Sequence, residues 1–194
     1  AGLAKICPHF HLSLQSGCDA TLKRMNRHYT TEDYLRRCGI LRKWFDHPAI
    51  TTDVIVGFPG ETQEEFEITR EFLKKVHFYE MHVFKYSKRA GTRAAVMPDQ
   101  VPEQVKGRRS DVLLELEASM SREYREHFIG SSVWVLFEDM AEVEGRKYII
   151  GHTPQYVKAA LAVKDGEENR LSGQILCLKA AGLLGGDLLE VGWQ

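Results

Sequence analysis

The run Thr51-Thr52-Asp53-Val54-Ile55-Val56 constrains the fold more than any other stretch. It is β-branched and nearly continuous, the pattern of a strand covered on both faces. Its one carboxylate, Asp53, would be expensive to bury unpaired. Gly57-Phe58-Pro59-Gly60 follows as a tight turn. Thr62 and Glu65 then make the pattern of a capping box, opening a helix through Val76. Upstream, Phe10-His11-Leu12-Ser13-Leu14 alternates like a strand until Gln15-Ser16-Gly17 breaks it. Thr30-Thr31-Glu32-Asp33 reads as a helix start, continued by Leu35, Cys38, Leu41 and Phe45 and stopped by Pro48. Strands at 9–14, 51–56 and 80–86 with helical patterns between them imply right-handed crossovers. The expected fold class is α/β, a parallel sheet with the second strand beside both others.

Pro98 to Pro102 is hinge-like, and from Pro102 a long helix is expected to about Phe128. Its apolar stripe is Leu113, Leu116, Met120 and Tyr124, and Gly130 supplies a stop. Beyond it the pattern changes to short strands, expected at 132–138, 147–153, 156–163, 173–179 and 187–192. With Gly- or Asp-rich connections and no helix between them, they indicate a small β-barrel. The chain thus divides into residues 1–97, a connecting helix at 98–128, and a barrel at 129–194.

Composition excludes several function classes. The 194 residues carry 26 Lys+Arg against 27 Asp+Glu, a net charge of −1, so any nucleic-acid contact must be local. No apolar run approaches the roughly 20 residues of a membrane helix, and the first residues show no secretory pattern. A cytoplasmic protein without a membrane partner is expected. The four cysteines, Cys7, Cys18, Cys38 and Cys177, form no zinc-knuckle or redox pair, and reduced thiols are the simplest reading.

Three stretches carry candidate chemistry. In the first, His11, Ser13 and Gln15 share a strand face, and Gln15 and Ser16 lie at its C-terminal end, where parallel-sheet folds place ligands. The alternative is a strand end satisfied by its own loop. His9-x-His11 has same-face metal spacing, but two histidines lack further ligands there, so no metal site is expected. In the second, Asp53 sits in an apolar strand before Gly57 and Gly60, which let backbone approach a ligand, and a helix N-terminus faces that space. Such a turn is often only a turn. The third, Phe84-Lys85-Tyr86-Ser87-Lys88-Arg89-Ala90-Gly91-Thr92-Arg93-Ala94, joins cations to aromatics, which suits phosphate contact and base stacking. A solvated loop is its plain alternative.

Together, HFHLSLQSGCDATLKRMNRHYT, TDVIVGFPGET and HVFKYSKRAGT resemble the methylthiotransferase branch of the radical S-adenosylmethionine (SAM) enzymes. From about Ile129 the chain resembles the TRAM domain that closes those enzymes. Ser13 and the KRMNRHYT run look most like members that methylthiolate threonylcarbamoyladenosine at tRNA position 37. Members acting on isopentenyladenosine-37 or on a ribosomal-protein aspartate are the alternatives, and a non-catalytic RNA-binding module is a further one.

The resemblance implies the C-terminal half of a partial (β/α)6 barrel followed by the small all-β domain. It also implies SAM and two [4Fe-4S] clusters in a parent enzyme. The family's Cys-x-x-x-Cys-x-x-Cys motif is absent, so this chain alone is expected to hold no cofactor and to be inactive. By position, Gln15 and Ser16 would meet SAM polar groups, and Asp53, Ile55 and Gly57 fit loosely onto the adenine-supporting strand. Glu61 falls one residue late for that strand's acid. Phe84 and Tyr86 would bracket adenine. Arg24, Arg27, Arg89 and Arg93 are candidates for RNA or the SAM carboxylate. In the barrel, six cations face nine acids from residue 129 on, so Tyr156 and Lys158 form the best local RNA contact set. tRNA, through its anticodon loop, is the expected partner. Self-association through an open sheet edge is also expected.

Overall fold

The computed structural model describes residues 5–164 and 168–193; Asp165 and Glu167, counted among the barrel acids, lie outside them. Contacts divide the chain into two compact units, one of Phe10–Ser121 and one of Arg122–Gln194 with the segment before Phe10.

The first unit is built on β1 (His9–His11), β2 (Ala49–Val56) and β3 (Glu80–Lys85), in the order β1-β2-β3. β2 and β3 are parallel, paired from Thr51–Glu80 to Val56–Lys85. The helices are α1 (Asp19–Arg24), α2 (Thr31–Trp44) and α3 (Gln63–Val76). Both expected helix starts are present as reciprocal capping boxes, Thr30 with Asp33 on α2 and Thr62 with Glu65 on α3. α4 (Glu103–Glu126) follows a 3-10 turn at 93–96, and the boundary between the units falls within it. No helix among the described residues is long and apolar enough to cross a membrane.

β1 is shorter than its alternating pattern predicts, and Thr52 is the reason. Its hydroxyl accepts from the Leu14 N–H at 2.9 Å and donates to the Leu12 carbonyl at 2.6 Å, taking the place of ladder bonds. Pairing resumes one residue late, with the Gln15 N–H donating to the Asp53 carbonyl at 2.8 Å and a parallel bridge to Val54. Gln15 absorbs the slip at φ 72°, in the left-handed region.

The sheet is covered by helices on one face. Ile50, Val54, Val56, Leu14 and Met81 pack into a core with Tyr34 and Cys38 from α2, Phe66, Leu73 and Val76 from α3, and Leu113 from α4. β2 was expected to be covered on both faces. Asp53 and Ile55, on its opposite face, are instead half-buried, and His82 and Phe84 beside them on β3 are exposed.

The second unit is a closed barrel of β4 (Ser132–Val143), β5 (Arg146–His152), β6 (Lys158–Ala162), β7 (Ile175–Leu184) and β8 (Leu188–Gly192), in the order β4-β5-β6-β8-β7. Val133, Val135 and Phe137 point inward and Trp134 and Leu136 outward, the period of a barrel strand. A Cβ on Gly151 would meet the Leu136 carbonyl oxygen at 2.1 Å, so only glycine fits beside the irregularity between Phe137 and Asp139. β4 and β7 run past their expected ends, to Val143 and Leu184. A short helix, α5 (Glu168–Leu171), stands where only a connection was expected.

Candidate functional site

The open face of the parallel sheet gathers polar groups from three strands. On it, Ser13 donates to Asp53 Oδ2 at 2.8 Å, and His11 Nε2 lies 3.2 Å from the same oxygen. His11 Nδ1 sits 2.9 Å from Thr51 Oγ1. Burial works to raise the Asp53 carboxyl. The hydrogen bonds from Ser13 and His11 and the charges of His11 and His82 outweigh it, holding the group below the usual carboxylate range. The half-buried carboxylate anticipated in an apolar strand is therefore a paired one.

Toward the C-terminal ends of the strands, Ile55 and Phe84 lie side by side in register, with Phe84 53 % exposed. Gln15, beyond the end of β1, is an isolated bridge partner of Val54 with its backbone fixed on both sides by β2: its N–H donates to Asp53 O, and its carbonyl accepts from Ile55 N–H at 2.9 Å. Its side-chain amide makes no hydrogen bond among the described residues. An amide with unused hydrogen-bonding capacity and apolar side chains at one sheet end suit a planar heterocycle carrying polar substituents.

The loop after β2 is held from within. The Gly57 N–H donates to Glu61 Oε2 at 3.1 Å, and Arg109 on α4 meets Glu61 Oε1 at 2.7 Å with both side chains almost fully buried. Burial pushes the Glu61 carboxyl up, against the opposing Gly57 N–H and Arg109 charge. Lys106 donates to the Tyr86 carbonyl at 2.8 Å and lies 5.6 Å from the Tyr86 ring centre.

Several sequence candidates take structural positions here. Ser16 is 1 % exposed and bonds Thr69 and the Cys18 N–H, because the slip at Gln15 turns it inward. The space a Cβ would need on Gly57 is occupied by Lys106, 2.3 Å away, so the close approach expected there is made by the protein's own side chain. Tyr86 packs edge-on against Phe58 rather than beside Phe84. Arg24 is committed to Glu65 through two of its nitrogens, and its hydrogen bond to Glu65 raises its own pKa. Arg27, Arg89 and Arg93 are exposed. In the barrel, Tyr156 is exposed at φ 65° and stacks on His152 with ring centres 4.3 Å apart, and Lys158 is exposed across the ladder from His152. His82 and Arg109 are additions that single-strand patterns cannot supply, since their partners lie on other elements.

The residues at the sheet end, Gln15 with an amide that makes no hydrogen bond among the described residues and the apolar Ile55 and Phe84, are compatible with the nucleoside part of SAM. They do not fit an iron–sulfur cluster. Cys18 and Cys38 are buried and Cys7 and Cys177 exposed, and the described residues bring no cysteine into a group of three metal-ligating side chains.

Residues 1–73 match the Radical SAM superfamily. Over 176 residues, 90% of this chain and 38% of the relative, the sequence is 42% identical to the threonylcarbamoyladenosine tRNA methylthiotransferase of Bacillus subtilis. It is 45% identical over 148 residues, 74% of this chain and 31% of the relative, to the tRNA-2-methylthio-N(6)-dimethylallyladenosine synthase of Caldicellulosiruptor saccharolyticus. A second threonylcarbamoyladenosine enzyme, from Thermotoga maritima, is 46% identical over 134 residues, 69% of this chain and 31% of the relative. The chain spans about a third of the length of these curated relatives.

Proposed function

This chain belongs to the radical SAM methylthiotransferase family, and we propose that it is part of an enzyme that adds a methylthio group to C2 of threonylcarbamoyladenosine at tRNA position 37. The observation that carries the reading is the end of the parallel sheet, where Gln15, whose side-chain amide makes no hydrogen bond among the described residues, is held by its backbone to the strand that carries Ile55, itself in register with exposed Phe84. A polar amide and apolar side chains at one sheet end suit a nucleoside cofactor. Gln15 would bond SAM polar groups, Ile55 and Phe84 would support the adenine, and the Glu61–Arg109 pair would hold the neighbouring loop still.

When bound, SAM and its iron–sulfur partner supply the radical and the methyl group. The residues of this chain supply position and exclusion of water. The cluster ligands belong to other parts of the parent enzyme, so the chain by itself is inactive and binds no cluster. The first unit is read as the second half of the radical SAM barrel, and the closed barrel from about residue 129 as its TRAM domain. Exposed Tyr156, Lys158, Arg27, Arg89 and Arg93 supply the RNA contacts.

Ser13 and the KRMNRHYT run support the threonylcarbamoyl substrate through their resemblance to members that act on it. The relative matched over 90% of the chain also carries that substrate in its name. The dimethylallyl substrate is the second reading, favoured by a relative of similar identity. Nucleosides from tRNA of cells in which the gene is disrupted test the choice by mass spectrometry. The expected result is loss of methylthiolated threonylcarbamoyladenosine, restored by the intact gene. Loss of the methylthiolated dimethylallyl nucleoside instead would establish the second reading, and loss of neither would refute both.

A further inference from the structure

Two side-chain nitrogens and a carboxylate meet on the open face of the sheet, one layer below the Ile55–Phe84 shelf. His11, Asp53 and His82 come from β1, β2 and β3, and one ligating atom of each lies within 4.8 Å of the others. Asp53 and His82 are direct register partners across the β2–β3 ladder. Successive residues on one strand face are about 7 Å apart, so this layer is distinct from the shelf above it.

The arrangement is already oriented. Thr51 holds His11 Nδ1 at 2.9 Å, which leaves Nε2 directed at Asp53 Oδ2, 3.2 Å away. Ser13 fixes the same carboxylate at 2.8 Å. Outer hydrogen bonds of this kind set ring orientation in metal-ligating histidines. A proton shared between His11 and Asp53 would satisfy those two groups alone. The imidazole of His82 has no hydrogen bond among the described residues, its ring centre is 6.0 Å from that of His11, and both rings are exposed. One divalent ion uses all three donors, which a proton cannot.

We propose that His11, Asp53 and His82 form a binding site for a single divalent transition-metal ion. Two imidazoles and one carboxylate select a borderline ion such as Zn2+, Co2+ or Fe2+ over Mg2+ or Ca2+, which prefer all-oxygen sites. Three protein ligands leave a further coordination position open to water or a ligand oxygen. The site uses none of the cysteines and does not depend on the proposed methylthiolation.

The test uses the chain itself, stripped with a chelator and titrated with Co2+. The expected result is a visible Co2+ spectrum saturating at one equivalent, lost on adding Zn2+, and a melting temperature raised by Zn2+. His82→Ala and Asp53→Asn, checked for native circular dichroism, should each weaken binding by at least about tenfold, whereas His28→Ala should leave it unchanged. Absence of a saturable spectrum, or binding untouched in both His82→Ala and Asp53→Asn, would overturn the site. Should either variant misfold, Thr51→Val gives an independent reading. It keeps the three ligands, frees His11 Nδ1, and should weaken Co2+ binding without abolishing it.

Discussion

Gln15 is the residue on which the cofactor reading turns. The proposed contact of Gln15 with SAM predicts that Gln15→Ala in the intact enzyme raises the apparent SAM KM by up to about tenfold, the worth of about one hydrogen bond. Its tRNA affinity should stay unchanged. Tyr156→Ala combined with Lys158→Ala should do the reverse, weakening tRNA binding by about tenfold or more through lost stacking and charge. SAM titrations and filter binding on both variants check this, and equal losses in each would contradict the division of labour. Ile55 and Phe84 were legible in the sequence as members of strand runs, whereas Gln15, read as the end of a strand alternating with His11 and Ser13, lies beyond β1, out of phase opposite Val54 and buried. Ser16 was not legible, because the extra residue absorbed at Gln15 shifts every later side chain to the other face. His82 joins Asp53 only through register, and register is invisible along one strand.

Acid sensitivity also belongs to single residues. The Arg24 hydrogen bond, ahead of smaller contributions, holds the Glu65 carboxyl below its ordinary range. A depressed carboxylate stabilises the fold above its unfolded pKa, near 4.3, and that contribution is lost as pH falls through the folded value. Glu65→Gln should therefore lower the urea midpoint at pH 7 and show a shallower loss of stability than wild type between about pH 5 and pH 3. Parallel curves over that range would show that the Arg24–Glu65 pair carries none of the acid response.

α4 is the element that fixes the loop after β2. Its Arg109 reaches Glu61, 48 residues earlier in sequence, and its Lys106 fills the space over Gly57. Arg109→Met leaves Glu61 buried without its cation and should cost roughly 3–5 kcal/mol in urea unfolding. The pH dependence has a definite sign. Burial raises the Glu61 carboxyl further once Arg109 is gone, and a raised carboxyl stabilises below its unfolded pKa and loses that contribution as pH rises through the folded value. The variant should thus be worse at pH 8 than at pH 5, and a pH-independent deficit would show that the pair is not the cause.

The elements themselves were largely readable. Thr30, Thr62 and their acids mark helix starts by local chemistry, and both capping boxes formed. What escaped depended on distant partners. α1 begins without a side-chain cap, and its Asp19 accepts a hydrogen bond from the Thr31 N–H, 12 residues on. β1 stops early because a threonine on β2 takes its hydrogen bonds. In the barrel, the extensions of β4 and β7 follow from pairing across the barrel rather than from their own composition.

At the scale of the whole molecule, a parallel three-stranded unit and a closed five-stranded barrel are joined in one chain that covers about a third of its relatives. The methylthiolation of tRNA proposed for the intact enzyme is open to direct test. The most direct measurement is mass spectrometry of nucleosides from threonylcarbamoyl-modified tRNA, incubated anaerobically with the reconstituted intact enzyme, SAM, a reductant and a sulfur source. The account predicts a methylthiolated threonylcarbamoyladenosine that is absent without SAM and strongly reduced with Gln15→Ala at limiting SAM. Enzyme that cleaves SAM yet leaves tRNA with and without threonylcarbamoyl or dimethylallyl groups unchanged would contradict it.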